Sequence, residues 1–146
     1  MKILVINGPN MNMLGIREPD VYGRQTYADL CEHIKRGCEG EELDFFQSNH
    51  EGAIVDRIHA AYFDGTDGIV INPAAHTHYS YAIHDAVKAV GVPTVEVHIS
   101  SIGSREEFRH TSVIAPACRS QICGKGFDGY VLAVKQLVSG KFEDIR

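Results

Sequence analysis

Neutral hydrogen-bonding side chains and histidines gather at four places in this chain, each just after a short apolar run. Asn7, Gly8, Pro9, Asn10 and Asn12 follow the first run, and Ser48, Asn49 and His50 the second. Asn72, His76 and His78 follow the third, and His98, Ser100 and Ser101 the fourth. Groups of this kind suit a polyhydroxylated small molecule better than a phosphate. The connection from Gly8 to Gln25 is far longer than the usual ~2–6 residues and carries Arg17, Glu18, Asp20, Tyr22 and Arg24. Such a segment is a candidate lid. A phenol titrates near ~10 unperturbed and a neighbouring guanidinium favours its anion, so Tyr22 beside Arg17 or Arg24 is a candidate general base; a surface tyrosine in a solvated loop is the plainer alternative.

The elements that must position these groups are legible as alternating apolar runs and helical patterns. Lys2–Asn7, Leu43–Gln47, Gly68–Asn72 and Pro93–Val97 read as strands, and a fifth is expected near Ser112–Ala115. Tyr27, Leu30, Cys31, Ile34 and Cys38 recur at helical spacing behind a Thr26 N-cap. Further helices carry Ile54, Val55, Ile58 and Ala61, then Ile83, Ala86, Val87 and Val90, then Tyr130, Val134 and Leu137, with a short helical turn around Ser104–Arg109. Strands that alternate with helices require crossover connections and hence a parallel sheet covered on both faces. The expectation is an α/β, flavodoxin-like three-layer sandwich with a five-stranded parallel sheet, forming one catalytic domain over residues 1–146 with 8–25 as its lid. In such sheets ligands bind outside the carboxyl ends of the strands, where the polar groups lie.

At 146 residues, 44% hydrophobic and 23% charged, the chain has ordinary globular usage. No apolar run approaches the ~18 residues that cross a bilayer, and no signal-peptide pattern precedes Gly8-Pro9, so a soluble, cytoplasmic protein with no membrane partner is expected. A formal net charge of -5 argues against a nucleic-acid partner, which would need clustered Lys and Arg. Cys31 with Cys38 and Cys118 with Cys123 lack the spacing of a metal site, and free thiols are expected. His76 and His78 suggest metal ligation, but strand alternation would put them on one side with no carboxylate or thiol at a ligand spacing; no metal and no cofactor are expected. Gly124-Lys125-Gly126-Phe127-Asp128-Gly129 fits a dinucleotide fingerprint, yet it opens the final helix rather than the first strand–helix turn.

Several segments together carry a resemblance: Asn7–Pro19 with Tyr22-Gly23, Gln47-Ser48-Asn49-His50-Glu51-Gly52, Asn72–His78, Glu96-Val97-His98-Ile99-Ser100, Arg105–Arg109 and Gly129–Ala133. In order and spacing they resemble the type II 3-dehydroquinate dehydratases. The resemblance implies reversible anti elimination of water from 3-dehydroquinate through an enolate, without metal or cofactor. It assigns the base to Tyr22, assisted by Arg17, and enolate stabilisation through a water to Asn10. The general acid falls on His98, oriented by Glu96. The substrate carboxylate falls to Asn72 and the backbone N–H groups of Ile99 and Ser100, and the ring hydroxyls to His78 and Arg109. It makes Asp85 a residue that reaches a neighbouring subunit's site, in a homododecamer built as a tetramer of trimers. These assignments are chemically coherent. Elimination beside a ketone needs a base, an acid on the opposite face and donors where negative charge develops, and Glu96 and His98, two apart, share one face of a strand.

Other readings fit less well. A receiver-like signalling domain needs acidic residues where this chain has Asn7 and Asn72, a flavin protein needs a hydroxyl-rich loop where it has Gly8-Pro9-Asn10, and no lysine follows a central strand to form a Schiff base. The alternative kept is a same-fold paralogue that acts on or senses a related hydroxylated cyclohexanone carboxylate. His76, Tyr79 and Ser101 depart from the family's usual residues and are expected to flank the pocket. Arg105 is expected in a lid or interface.

Overall fold

The computed structural model describes residues 1–16, 18–104 and 106–146, with the backbone alone at Val21, Tyr22 and Ser104. Strands β1 (Lys2–Asn7), β2 (Glu42–Gln47), β3 (Gly68–Asn72), β4 (Thr94–His98) and β5 (Ser120–Cys123) form one parallel sheet in the order β2-β1-β3-β4-β5. The helices are α1 (Pro19–Tyr22), α2 (Tyr27–Gly37), α3 (Glu51–Phe63), α4 (Tyr81–Val90) and α5 (Asp128–Ser139). This is the flavodoxin-like α/β sandwich, and its apolar alternation splits the core in two. Ile3, Val5, Val70, Val95 and Val97 meet Leu30 and Ile34 of α2 and Tyr130, Val134 and Leu137 of α5 on one face. Leu4, Ile6, Ile69 and Ile71 meet Ile54 and Ile58 of α3 and Ile83 and Val87 of α4 on the other. Strands buried on both faces are continuous apolar runs for this reason.

Thr26 caps α2 in a capping box: its hydroxyl accepts from Asp29 N at 3.2 Å while Thr26 N donates to the Asp29 carboxylate at 2.9 Å. The segment 8–25 is not plain loop, since it holds a 3-10 turn at Met11–Met13 and the one-turn α1. The expected turn near 104–109 is two 3-10 turns, Ile102–Ser104 and Glu107–Arg109.

The fifth strand is not where the sequence pattern put it. Ser112–Ala115 is irregular and runs into a 3-10 turn at Ala115–Ala117, while β5 is Ser120–Cys123. The Ser112 hydroxyl accepts N–H bonds from Ile114 at 3.3 Å and Ala115 at 3.0 Å, which curls the backbone before it can extend. Beyond α5 the chain returns to the sheet edge, where Ile145 bridges Ile122. All four cysteines are free thiols. Among the described residues no helix is long and apolar enough to cross a membrane.

Candidate active site

A cleft opens at the carboxyl ends of β3 and β4, where a parallel sheet presents its ligand sites. Six expected residues line it: Asn72, His78, His98, Ile99, Ser100 and Arg109. Met11, Ala74, Ala75 and Ile102 complete the wall; the first three lie in segments that carry the family resemblance but had been given no role, and Ile102 had not been singled out.

Glu96 lies beneath the cleft with no exposed surface. Its Oε1 is 3.5 Å from His98 Nε2. That is an ion-pair distance without hydrogen-bond geometry, and Nε2 has no hydrogen-bond partner among the described residues. Three further described side chains hydrogen-bond to Glu96. The Thr77 hydroxyl donates to Oε1, Ser112 Oγ lies 2.8 and 3.0 Å from the two oxygens, and Gln121 Nε2 donates to Oε2 at 2.5 Å. Gln121 cannot turn its amide over, because its oxygen accepts from Arg146. Burial works against the charge, but His98, Thr77 and Gln121 outweigh it and hold the Glu96 carboxyl below its ordinary range. Glu96 is therefore held as an anion beneath the His98 imidazole.

The second histidine of the cleft is His78. Burial, reinforced by His98 and Arg109 and opposed by the Thr111 carbonyl, pushes His78 down from its ordinary value. Its Nδ1 lies 2.8 Å from the Thr111 carbonyl, which can only accept. The neutral ring thus carries its proton on Nδ1 and offers Nε2 as an acceptor. Arg109 supplies the cleft's positive charge; its Nε is held by Glu106 at 2.5 Å and its guanidinium lies over Phe108, 4.6 Å from the ring centroid.

At the end of β3, Asn72 Oδ1 accepts from Ala74 N at 3.0 Å, and Nδ2 donates to the Tyr130 hydroxyl at 2.9 Å. Ala74 sits at φ 54, in the left-handed region that costs a residue with a Cβ roughly 1–2 kcal/mol. Gly8 admits no side chain: a Cβ there would come within 2.5 Å of the Pro73 carbonyl oxygen, and Gly8 N donates to Asn72 O at 2.8 Å. The β1 and β3 loops are thereby pressed together beside the cleft. Asn10, at φ 69, is exposed and outside the lining residues; its N–H donates to Asn49 Oδ1 at 2.9 Å.

Arg17 and Arg105 lie outside the described residues, as does the side chain of Tyr22, whose backbone ends α1. Asp85 is exposed on α4 and does not line this cleft. Nor do His76, Tyr79 and Ser101, which were expected to flank it. His76 and His78 are not on one side of a strand, because they belong to a 3-10 turn, Ala74–His78. At about 120° per residue that turn sends His76 into the interior against Tyr79 and His78 to the cleft. Among the described residues no group of three or more His, Cys, Asp or Glu side chains is arranged to hold a metal ion. The glycine motif joins β5 to α5, but Gly124 N donates to His98 O at 3.2 Å and Gly126 N to Ile99 O at 3.0 Å. Those N–H groups brace the loop after β4 instead of facing a phosphate.

Sequence reasoning missed Thr77, Ser112, Gln121 and Tyr130 as supports of the site. The signal available for Thr77 was its place between two singled-out histidines, and for Tyr130 its place in the Gly129–Ala133 segment; Ser112 and Gln121 gave none.

Comparison with known proteins agrees with this geometry. A profile described as dehydroquinase class II matches residues 1–138. The chain is 61% identical to a 3-dehydroquinate dehydratase of Caldicellulosiruptor bescii over 138 residues, 93% of this chain and 95% of that protein. It is 57% identical to one of Clostridium beijerinckii, over 94% of this chain and 95% of that protein. The crystal structure of a type II dehydroquinase from Butyrivibrio crossotus superposes with a TM-score of 0.93 at 56% identity, covering 94% of this chain and 97% of that one. Taken with the sheet order and the cleft, these matches mean that the chain belongs to the class II dehydroquinase family.

Proposed function

We propose that this chain is a hydro-lyase that catalyses the reversible anti dehydration of 3-dehydroquinate to 3-dehydroshikimate, as one catalytic domain with residues 8–25 as its lid. The Tyr22 phenolate, its anion favoured by Arg17, takes the proton from the carbon beside the ketone. The electron pair moves onto the carbonyl oxygen as an enolate, which Asn10 steadies through a water. The enolate then collapses, the carbon–hydroxyl bond breaks, and His98 imidazolium supplies the proton that makes the departing group water. Tyr22 gives up one proton and His98 regains one before the next turnover. Glu96 orients the imidazolium. Asn72 and the N–H groups of Ile99 and Ser100 hold the carboxylate; Arg109 and the acceptor Nε2 of His78 meet the ring hydroxyls.

The observation that carries the reading is the buried, donor-surrounded Glu96 beneath His98 at a cleft that also contains Asn72, His78 and Arg109. Asp85, exposed and away from its own cleft, fits a contribution to a neighbour's site in a dodecamer of four trimers, which light scattering would measure as a mass of twelve chains. Following enone formation from 3-dehydroquinate tests the chemistry. Wild type is expected to turn over without added metal or cofactor, and Tyr22→Phe and His98→Ala each to lose nearly all activity while keeping the wild-type circular dichroism. Full activity in Tyr22→Phe refutes the base. Binding without turnover in wild type favours a sensing paralogue.

A further inference from the structure

We infer that Tyr130, which touches no substrate, is a positioning residue for substrate binding: its buried hydroxyl sets the Asn72 amide so that the remaining N–H faces the substrate carboxylate. The inference rests on the reading of the cleft above and extends it to a residue of α5.

Asn7 and Asn72 are lateral partners on β1 and β3. Both side chains reach toward α5, where Tyr130 is fully buried. The Tyr130 hydroxyl has one proton, and it goes to Asn7 Oδ1 at 2.6 Å. Its lone pair then accepts from Asn72 Nδ2 at 2.9 Å. The direction of this chain is fixed at its other end, because Ala74 N can only donate and does so to Asn72 Oδ1 at 3.0 Å. Turning the Asn72 amide over would set its NH2 against the Ala74 N–H. Every proton therefore runs the same way, from Ala74 through Asn72 and Tyr130 to Asn7. Burial pushes the Tyr130 phenol well above its ordinary value, so it keeps the proton the arrangement needs. One Asn72 hydrogen is spent on Tyr130. The other is donated to Met11 Sδ, 3.7 Å away on the wall of the cleft, a weak acceptor that a carboxylate oxygen would displace. The amide torsion of an asparagine is broad by itself, so without the hydroxyl Asn72 keeps only the Ala74 N–H on Oδ1 and the weak Met11 sulfur contact, and its amide plane is free to tilt about the Oδ1 anchor.

The test combines steady-state kinetics on 3-dehydroquinate with calorimetric titration of quinate and methyl quinate, which differ in the carboxylate charge. Wild type, Tyr130→Phe, Asn72→Ala and the double variant are compared. Tyr130→Phe is expected to raise KM by about threefold to tenfold, the range set by one hydrogen bond, with kcat within about twofold. Quinate affinity should weaken by the same factor while methyl quinate affinity stays constant, and Tyr130→Phe should add nothing in the Asn72→Ala background. A lowered melting temperature with unchanged KM and quinate affinity would overturn the inference and leave Tyr130 purely structural. An equal loss in the Asn72→Ala background, or a kcat loss at constant KM, would overturn it too. If wild type binds quinate but does not dehydrate, the proposed reaction fails while the titrations still decide the role of Tyr130. Absence of quinate binding in wild type would refute the carboxylate grip and the inference with it.

Discussion

Replacing Glu96 by Gln keeps the shape of the side chain and removes its charge. Two unit charges at the observed 3.5 Å attract by on the order of 4 kcal/mol at an effective dielectric of about 20. Relaxation and the remaining hydrogen bonds absorb part of that, so kcat should fall about 10²–10³-fold, inside the ~10²–10⁴ range of general acid catalysis. The fold should weaken as well. An NH2 turned toward Gln121 meets its donor Nε2, and one turned toward Thr77 forces that hydroxyl to give up its donation and accept instead. Each buried group left unsatisfied costs about 1–3 kcal/mol. The pH dependence separates charge from packing. Because the Glu96 carboxyl is held below its ordinary value of 4.5, its ionised form contributes stability in full above that value, and the contribution is lost as pH falls through the depressed folded value. The stability gap between wild type and Glu96→Gln should therefore be wide at neutral pH and narrow toward about pH 3. Enone progress curves and urea unfolding at both pH values measure the two effects. Wild-type turnover in Glu96→Gln, or a gap equally wide at both pH values, would refute the reasoning.

His78→Ala should raise KM more than it lowers kcat, and quinate binding by wild type should weaken only at pH values below the ordinary histidine value of 6.5, where Nε2 gains a proton and stops accepting; calorimetry across pH 5–8 checks this. Burial depresses His76, whose Nδ1 has no hydrogen-bond partner among the described residues, so its contribution to stability is lost as pH falls from the ordinary 6.5 through the folded value. His76→Phe should accordingly be more stable than wild type by a margin larger at about pH 5 than at about pH 8 in urea titrations. Gly8→Ala puts a Cβ within 2.5 Å of the Pro73 carbonyl and should cost several kcal/mol together with most of the turnover, read by melting and enone assays. Thr26→Ala removes the capping box of α2 and should cost about 1 kcal/mol in urea unfolding.

What the sequence disclosed and what it hid have separate physical causes. β1 and β3 were legible because strands covered by helices on both faces are near-continuous apolar runs, and Gly68–Asn72 was bounded to the residue. β5 was hidden because Ser120 and Gln121 are buried without being apolar. Ser120 Oγ donates to Gln136 Oε1 at 2.6 Å and Gln121 reaches Glu96, both pairings between residues distant in the chain that no local pattern announces. Ser112–Ala115 had the apolar residues of a strand, but the Ser112 hydroxyl chose the geometry.

The same division runs through the site. Asn72, His78, His98, Ile99 and Ser100 could be placed at one cleft beforehand because a parallel sheet delivers the residues after its strands to one edge. Their chemical states could not, because those are set from outside the strand ends. His78 is an acceptor because Thr111, 33 residues away, presents a carbonyl to Nδ1. Glu96 is held as an anion because Thr77 and Gln121, from separate elements, hydrogen-bond to its oxygens and, with His98, outweigh the cost of its burial. Asn72 has a direction because Ala74 accepts a left-handed backbone that aims its N–H back at Oδ1. Spacing along the chain thus locates reactive groups, while protonation, tautomer and amide sense are decided by which donors and acceptors the tertiary fold sets opposite them. For that reason substitutions at Gln121 or Tyr130 should perturb pH dependence and KM as distinctly as substitutions in the cleft perturb rate.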